Sequence, residues 1–159
     1  MKGQLVFRNR QQLYSVDLRR LRNVARTLLC DLVARKQFEL CVHLVAAPEM
    51  TRLNRGFLGH EGSTDVITFN HSEPSQSEFL HGEIFICLDD ARAQARVFHT
   101  TWQSELVRYL LHAVLHLLGY DDSKAGTRRK MKRKENLLLR ELARRFPLRK
   151  LGRARRVSP

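Results

Sequence analysis

One stretch constrains this chain more than any other: His112-Ala-Val-Leu-His116-Leu-Leu-Gly119-Tyr120-Asp121-Asp122. It closes an apolar run with helical patterning that begins near Trp102. Residues four apart on a helix share a face, about 6 Å apart along the axis, so the rings of His112 and His116 can converge on one point. Gly119 offers the left-handed exit that ends a helix and turns the chain back. Just past that exit Asp122 can swing under the histidines, with Asp121 as its rival for the same place. Two imidazoles, one carboxylate and a position left to water make up the donor set of a catalytic zinc site. The plainer reading of His-x-x-x-His is two partly buried histidines held by hydrogen bonds. It does not account for the glycine exit or for an acid at that offset.

A residue is also missing from the pattern. In zinc peptidases built on this spacing, a glutamate follows the first histidine and acts as general base. Here that position is Ala113, which has no proton to exchange, so peptide hydrolysis by that route is disfavoured.

The helix and turn resemble the signature of the YbeY family of metal-dependent endoribonucleases, which runs His-Gly-x-Leu-His-Leu-x-Gly-Tyr-Asp-His. His112, Leu115, His116, Leu117, Gly119, Tyr120 and Asp121 match it, and Asp122 stands where the family has its third metal-binding histidine. Further matches keep their order along the chain: Leu53-Asn54, Thr64-Asp65-Val66, Gly82-Glu83-Ile84, Gln94-Ala95 and Glu105-Leu106. The resemblance covers roughly residues 5–140. It departs at Leu58, where the family carries an arginine one residue before a glycine; Arg55 or His60 lies close enough in sequence to substitute in part.

Length and composition set outer bounds. A chain of 159 residues with 43% hydrophobic residues suits one domain with a sizeable core. The expected division is a single catalytic domain over 1–147 followed by a basic, disordered tail over 148–159. No run of eighteen apolar residues is present and the first residues carry no apolar signal segment, so the expectation is a cytoplasmic protein with no membrane partner. Cys30, Cys41 and Cys87 are odd in number, scattered, and set in apolar stretches. They read as reduced core thiols, neither a disulfide frame nor a thiolate metal site.

The formal charge of +13 is placed unevenly. Residues 1–122 carry fourteen basic and fourteen acidic side chains, whereas 123–159 carry fifteen basic and two acidic. Such asymmetry points to a polyanion; on charge alone the competing reading is a solvated helix face and tail.

In chain order, Gln4–Arg8 reads as a strand. Asp17 caps a helix with apolar positions from Leu18 to Val33, and Phe38–Ala46 is a near-continuous apolar strand central in its sheet. Pro48 opens a second helix through Phe57. Thr64–Phe69 leads into a strand, Asn70–Gly82 is a polar loop bearing His71 and His81, and Glu83–Leu88 is a fourth strand at a sheet edge. Asp89 and Asp90 cap a helix over Ala91–Phe98, and Thr100 with Gln103 caps the long one. Met131, Leu138, Leu139, Leu142 and Phe146 mark a C-terminal amphipathic helix stopped by Pro147. The fold class expected is α/β (α+β), a small, mostly parallel four-stranded sheet packed by about five helices, with the metal site at the end of the long helix 101–118.

The function expected is a single-strand-specific endoribonuclease using one bound zinc ion, other divalent metals remaining open. His112, His116 and Asp122 are the metal ligands. His112, His116, Glu83 and Asp65 are the catalytic candidates. Arg55, Lys124, Arg128, Arg129, Lys130, Lys132, Arg133 and Lys134 are the candidate contacts to RNA. The resemblance further implies a role in ribosomal RNA maturation at the small-subunit 3′ end and in ribosome quality control, with the small ribosomal subunit as partner. Phe57 and Phe69 are the available aromatic platforms for bases. Two other classes stay open: a ribosome-associated RNA-binding protein with little nuclease activity, and a zinc metallopeptidase-like hydrolase.

Overall fold

The computed structural model describes residues 3–73, 75 and 78–155. The chain opens with β1 (Gln4–Asn9), which alternates exposed and buried residues so that Leu5 and Phe7 face the core. A short β2 (Tyr14–Val16) follows, and then Asp17, whose side chain accepts the Arg20 amide to cap α1 (Leu18–Arg26). That helix widens into a π-helical turn over Thr27–Leu32, keeping Leu28 and Leu29 buried with Leu21, Val24 and Ala25. Next come β3 (Phe38–Val45) and α2 (Ala47–Leu58), the latter with Pro48 in its first turn and Gly59 as a left-handed cap. Beyond them lie β4 (Val66–Asn70), β5 (Leu80–Cys87), α3 (Leu88–Phe98), α4 (Trp102–Leu117), α5 (Ala125–Arg145) and β6 (Gly152–Ala154).

The main sheet has the order β1-β3-β5-β4, with β1, β3 and β5 parallel and β4 antiparallel at one edge. This is the mixed, mostly parallel four-stranded sheet with five helices that the hydrophobic periods imply. β5 differs from its expected edge position, because it lies between β3 and β4. Its apolar run Ile84-Phe85-Ile86-Cys87 is buried throughout, as a strand covered on both faces requires. Successive side chains of a strand point to opposite faces. Ile84 and Ile86 therefore enter the main core with α1, α4 and α5, while Phe85 and Cys87 join Val45, Met50 and Ile67 in a smaller core beneath α2.

Helix α4 runs through the middle of the molecule. Leu106, Val107, Leu110, Leu111, Val114 and Leu115 are all buried, so it is apolar nearly all round. Its cap is Thr101, which accepts the Ser104 amide; the expected Thr100 instead donates its hydroxyl to Glu105. The helix closes down on β5 at Gly82, where a Cβ would stand 2.6 Å from the Phe69 carbonyl oxygen and 3.1 Å from Leu117. The Phe69 carbonyl of β4 leaves no room for a side chain at this position, and Leu117 at the end of α4 packs over the bare backbone. Asp89 and Asp90 fall in the first turn of α3 rather than capping it, and Asp89 accepts the Ala47 amide, tying α3 to the start of α2.

The expected disorder from residue 148 does not hold for 148–155; residues 156–159 lie outside those described. Pro147 ends the helix as expected, but Leu148–Leu151 forms a 3-10 turn with both leucines buried, and β6 pairs antiparallel with β2. Gln103 donates to the carbonyls of Arg149 and Gly152, and the Asp17 amide donates to Leu151. Trp102 stacks on Tyr14 at 3.9 Å and backs Gly152. Two leucines and a paired strand edge outweigh the basic composition that suggested a free tail.

Candidate metal centre

Local helix geometry and the glycine turn assemble the site. His112 and His116 project from one face of α4, rings 4.7 Å apart and nearly perpendicular at 80°. Gly119 takes φ +100°, with its amide donating to the His116 carbonyl, and the chain doubles back. The turn delivers Asp122 under the rings. His112 Nε2 and His116 Nε2 are 3.1 Å apart, and Asp122 Oδ2 lies 3.5 Å and 3.4 Å from them. Donors about 2.0–2.2 Å from a tetrahedral zinc stand roughly 3.4 Å from one another, so this triangle fits the ion. Asp121 is occupied elsewhere: its carboxylate accepts the Ser123 amide and hydroxyl, bonds that hold it below the usual carboxylate range.

The orientation of His112 is set from the far side. Its Nδ1 lies 2.9 Å from Glu135 Oε2, on α5, in a buried position 23 residues away in sequence. The neutral ring then carries its proton on Nδ1 and leaves Nε2 free to bind a cation, the carboxylate–histidine arrangement that metal sites use. The hydrogen bond His112 donates to Glu135 raises the His112 pKa above its ordinary value, against burial, which lowers it. For Glu135 burial raises the pKa, yet hydrogen bonds from His112 and Arg108 outweigh it and the carboxyl is held below its usual range. Arg108 Nη1 sits 2.8 Å from Glu135 Oε1, with Lys132 at 3.6 Å.

The triangle sits where two cavities meet. One, of about 540 Å³, is lined by Phe98, Arg108, Arg128, Arg129 and Lys132 among others; its neighbour, of about 410 Å³, runs along Leu58, β4 and His116. His112, Asp122 and Asp65 line both. Asp65 thus comes to the site, across the cleft from α4, with one carboxylate oxygen accepting the Val66 amide. Glu83 does not. It shares its parity with Phe85, so it faces away from α4, lies 3.9 Å from His43, and is a correction to its expected catalytic place.

Of the expected RNA contacts, Arg128, Arg129 and Lys132 line the cleft, and Arg128 also donates to the Asp122 carbonyl. Lys124, Lys130, Arg133 and Lys134 do not line it; they lie elsewhere on or just before α5. Arg55 pairs with Glu61 on the exposed end of α2, 3.1 Å apart. Leu58, 47% exposed, lines the smaller cavity where the resemblance puts an arginine, and no cation from α2 lines either cavity. Phe57 packs edge-on against Phe69, and His71 and His81 line a different, smaller depression.

Sequence reasoning missed Glu135, Arg108 and Phe98. A signal for Glu135 existed: it is the sole acid between Asp122 and Glu141, and it falls on the apolar stripe with Met131, Leu138 and Leu142. A lone acid on a buried stripe needs a cationic or hydrogen-bonding partner.

A sequence profile of the family described as Endoribonuclease YbeY matches residues 6–143. Proteins named Endoribonuclease YbeY resemble the chain in several bacteria. The Chlorobium phaeovibrioides protein is 44% identical over 58% of this chain and 61% of its own, and one from an Anaeromyxobacter species 42% over 77% and 63%. The Chlorobium phaeobacteroides protein is 35% identical over 81% of this chain and 92% of its own. The chain thus spans about three fifths of the length of the first two relatives. A solution structure of a Thermotoga maritima protein superposes with a TM-score of 0.63 at 27% identity, over 87% of this chain and 89% of that one.

Proposed function

The chain belongs to the YbeY endoribonuclease family, and from that premise we propose that it is a metal-dependent endoribonuclease that cuts single-stranded RNA. The observation that carries the reading is the triangle of His112, His116 and Asp122 donor atoms, 3.1–3.5 Å apart, backed by Glu135. A divalent ion held there, zinc first, supplies Lewis-acid stabilisation of charge that develops on a phosphodiester. Glu135 fixes the His112 ring and keeps its proton on the far nitrogen. Asp65, across the cleft, accepts a proton from the attacking water. Arg128, Arg129 and Lys132 hold the phosphates flanking the scissile bond, and the exposed face of Phe98 offers a surface on which a base can stack. The substrate we assign is ribosomal RNA, near the small-subunit 3′ end, with the small ribosomal subunit as partner in the cytoplasm.

Metal content and RNA cleavage measured together on the wild type and on His116→Ala test this. The expected result is that the variant loses bound metal and cleavage but still binds RNA. A wild type that carries metal and binds RNA without cutting it overturns the nuclease reading in favour of an RNA-binding protein. The loss of the family arginine at Leu58 is the observation that favours this second reading.

A further inference from the structure

Cys41, His43 and Glu83 sit together on the sheet face that α4 does not cover. Cys41 and His43 are two apart on β3, so both point to one face, and Glu83 is the partner of Cys41 in the parallel β3–β5 register. Cys41 Sγ lies 3.3 Å from His43 Nε2, and Nε2 lies 3.9 Å from Glu83 Oε1; the three donor atoms are all within 4.8 Å of one another. Around a tetrahedral zinc, sulfur and nitrogen donors stand about 3.6 Å apart and nitrogen and oxygen about 3.4 Å, so small side-chain rotations bring all three onto one ion. The His43 ring is already fixed, stacked flat on Phe85 at 4.3 Å and 7°.

The direction of approach separates metal binding from nucleophilic catalysis. A cysteine–histidine–acid relay uses both ring nitrogens, one toward the thiol and the other toward the acid. Here thiol and carboxylate both meet Nε2, while Nδ1 is buried with no hydrogen-bond partner among the described residues. The three groups face a common point. Glu83 is 43% exposed and, with Cys41, borders a depression of about 150 Å³, which leaves a side open for a fourth, solvent ligand.

We propose that Cys41, His43 and Glu83 form a second metal site, separate from the one at the end of α4, that takes a thiophilic divalent ion of the zinc class. A thiolate in the donor set selects zinc over magnesium or calcium, and thiolate plus carboxylate balance the charge of the ion. Cys41 thus departs from the sequence-based view of all three cysteines as inert core thiols. The bound ion bridges β3 and β5 on the face opposite α4. The site does not depend on the nuclease reading.

Cobalt(II) titration of the full chain tests it, because thiolate-to-cobalt charge-transfer absorption in the near ultraviolet arises only from a cysteine ligand. In His112→Ala/His116→Ala, which lacks the α4 site, the band is expected to saturate at one equivalent and to be abolished by added zinc. Cys41→Ser removes it, Glu83→Gln weakens binding by roughly 10-fold or more, and Cys30→Ser leaves it intact. The same band in the wild type, absent in Cys41→Ser alone, repeats the test should the double variant fold poorly. Absence of the band in both backgrounds, or its survival in Cys41→Ser, overturns the proposal. RNA cleavage in Cys41→Ser is expected to match the wild type, so failure here is distinguishable from failure of the nuclease reading.

Discussion

Glu135 holds the His112 ring from outside the donor triangle. Its carboxylate joins Arg108 on one oxygen and His112 on the other in a nearly dry position. Glu135→Ala leaves both partners facing a void, and the expected loss is about 2 kcal/mol, below the 3–5 typical of fully buried pairs because Arg108 reaches solvent. Urea unfolding in chelator measures it. The pH dependence follows from the two shifts. The His112 pKa is raised above its ordinary 6.5, so its share of stability is present below that pH and lost as pH rises through the folded value. The Glu135 pKa is depressed below its ordinary 4.5, so its share is present above that pH and lost as pH falls through the folded value. The gap between wild type and Glu135→Ala, metal-free, is therefore widest between about pH 4.5 and 6.5 and narrows on either side. A gap that grows steadily above pH 7 contradicts the pairing. The two histidines were legible from spacing alone, whereas their partner came from 23 residues along the chain.

At the scale of elements, one contact positions the site and another holds the fold that carries it. Gly82 lets both the Phe69 carbonyl of β4 and Leu117 of α4 approach β5, and Gly82→Val is expected to displace β4 and Leu117 from beside the site. Metal affinity at the α4 site should then fall while circular dichroism still reports a folded chain; unchanged affinity argues that the close approach is dispensable. The second contact is the C-terminal segment. Deleting residues 148–159 removes the burial of Leu148 and Leu151 and the β2–β6 pair. At about 1.5–3 kcal/mol per buried leucine, the two together lose about 3–6 kcal/mol, or roughly 10–20 °C in Tm, read by thermal denaturation. That segment looked free because its composition is basic. What orders residues 148–155 is long-range: Gln103, Trp102 and Asp17 each hold them from elsewhere in the chain. The interior position of β5 is hidden from the sequence for a related reason, since an apolar run says that a strand is buried but not which strands flank it.

Across the whole molecule, α5 carries nine basic and two acidic side chains, a net +7 of the +13, yet only part of that charge faces the cleft. Arg128, Arg129 and Lys132 line it. Replacing those three with alanine is expected to flatten the dependence of log K on log salt for single-stranded RNA by about 2, whereas Lys130→Ala with Arg133→Ala changes the slope by less than 1. Equal changes from both sets make the charge a diffuse field rather than a track into the site. Net charge could be counted from the sequence, but only the phase of α5 against α4 determines which cations face the cleft. The sequence by itself determined what neighbours a few residues apart can do: the shared face of His112 and His116, the glycine exit, and the alternation of strands and helices. All of these follow from helical and strand periods that need no distant partner. Only the tertiary structure decided that Asp122 rather than Asp121 turns inward, that Glu135 backs His112, and that Glu83 meets Cys41 and His43 on the far face. Those meetings join residues that backbone geometry does not bring together until the sheet register and helix packing are in place.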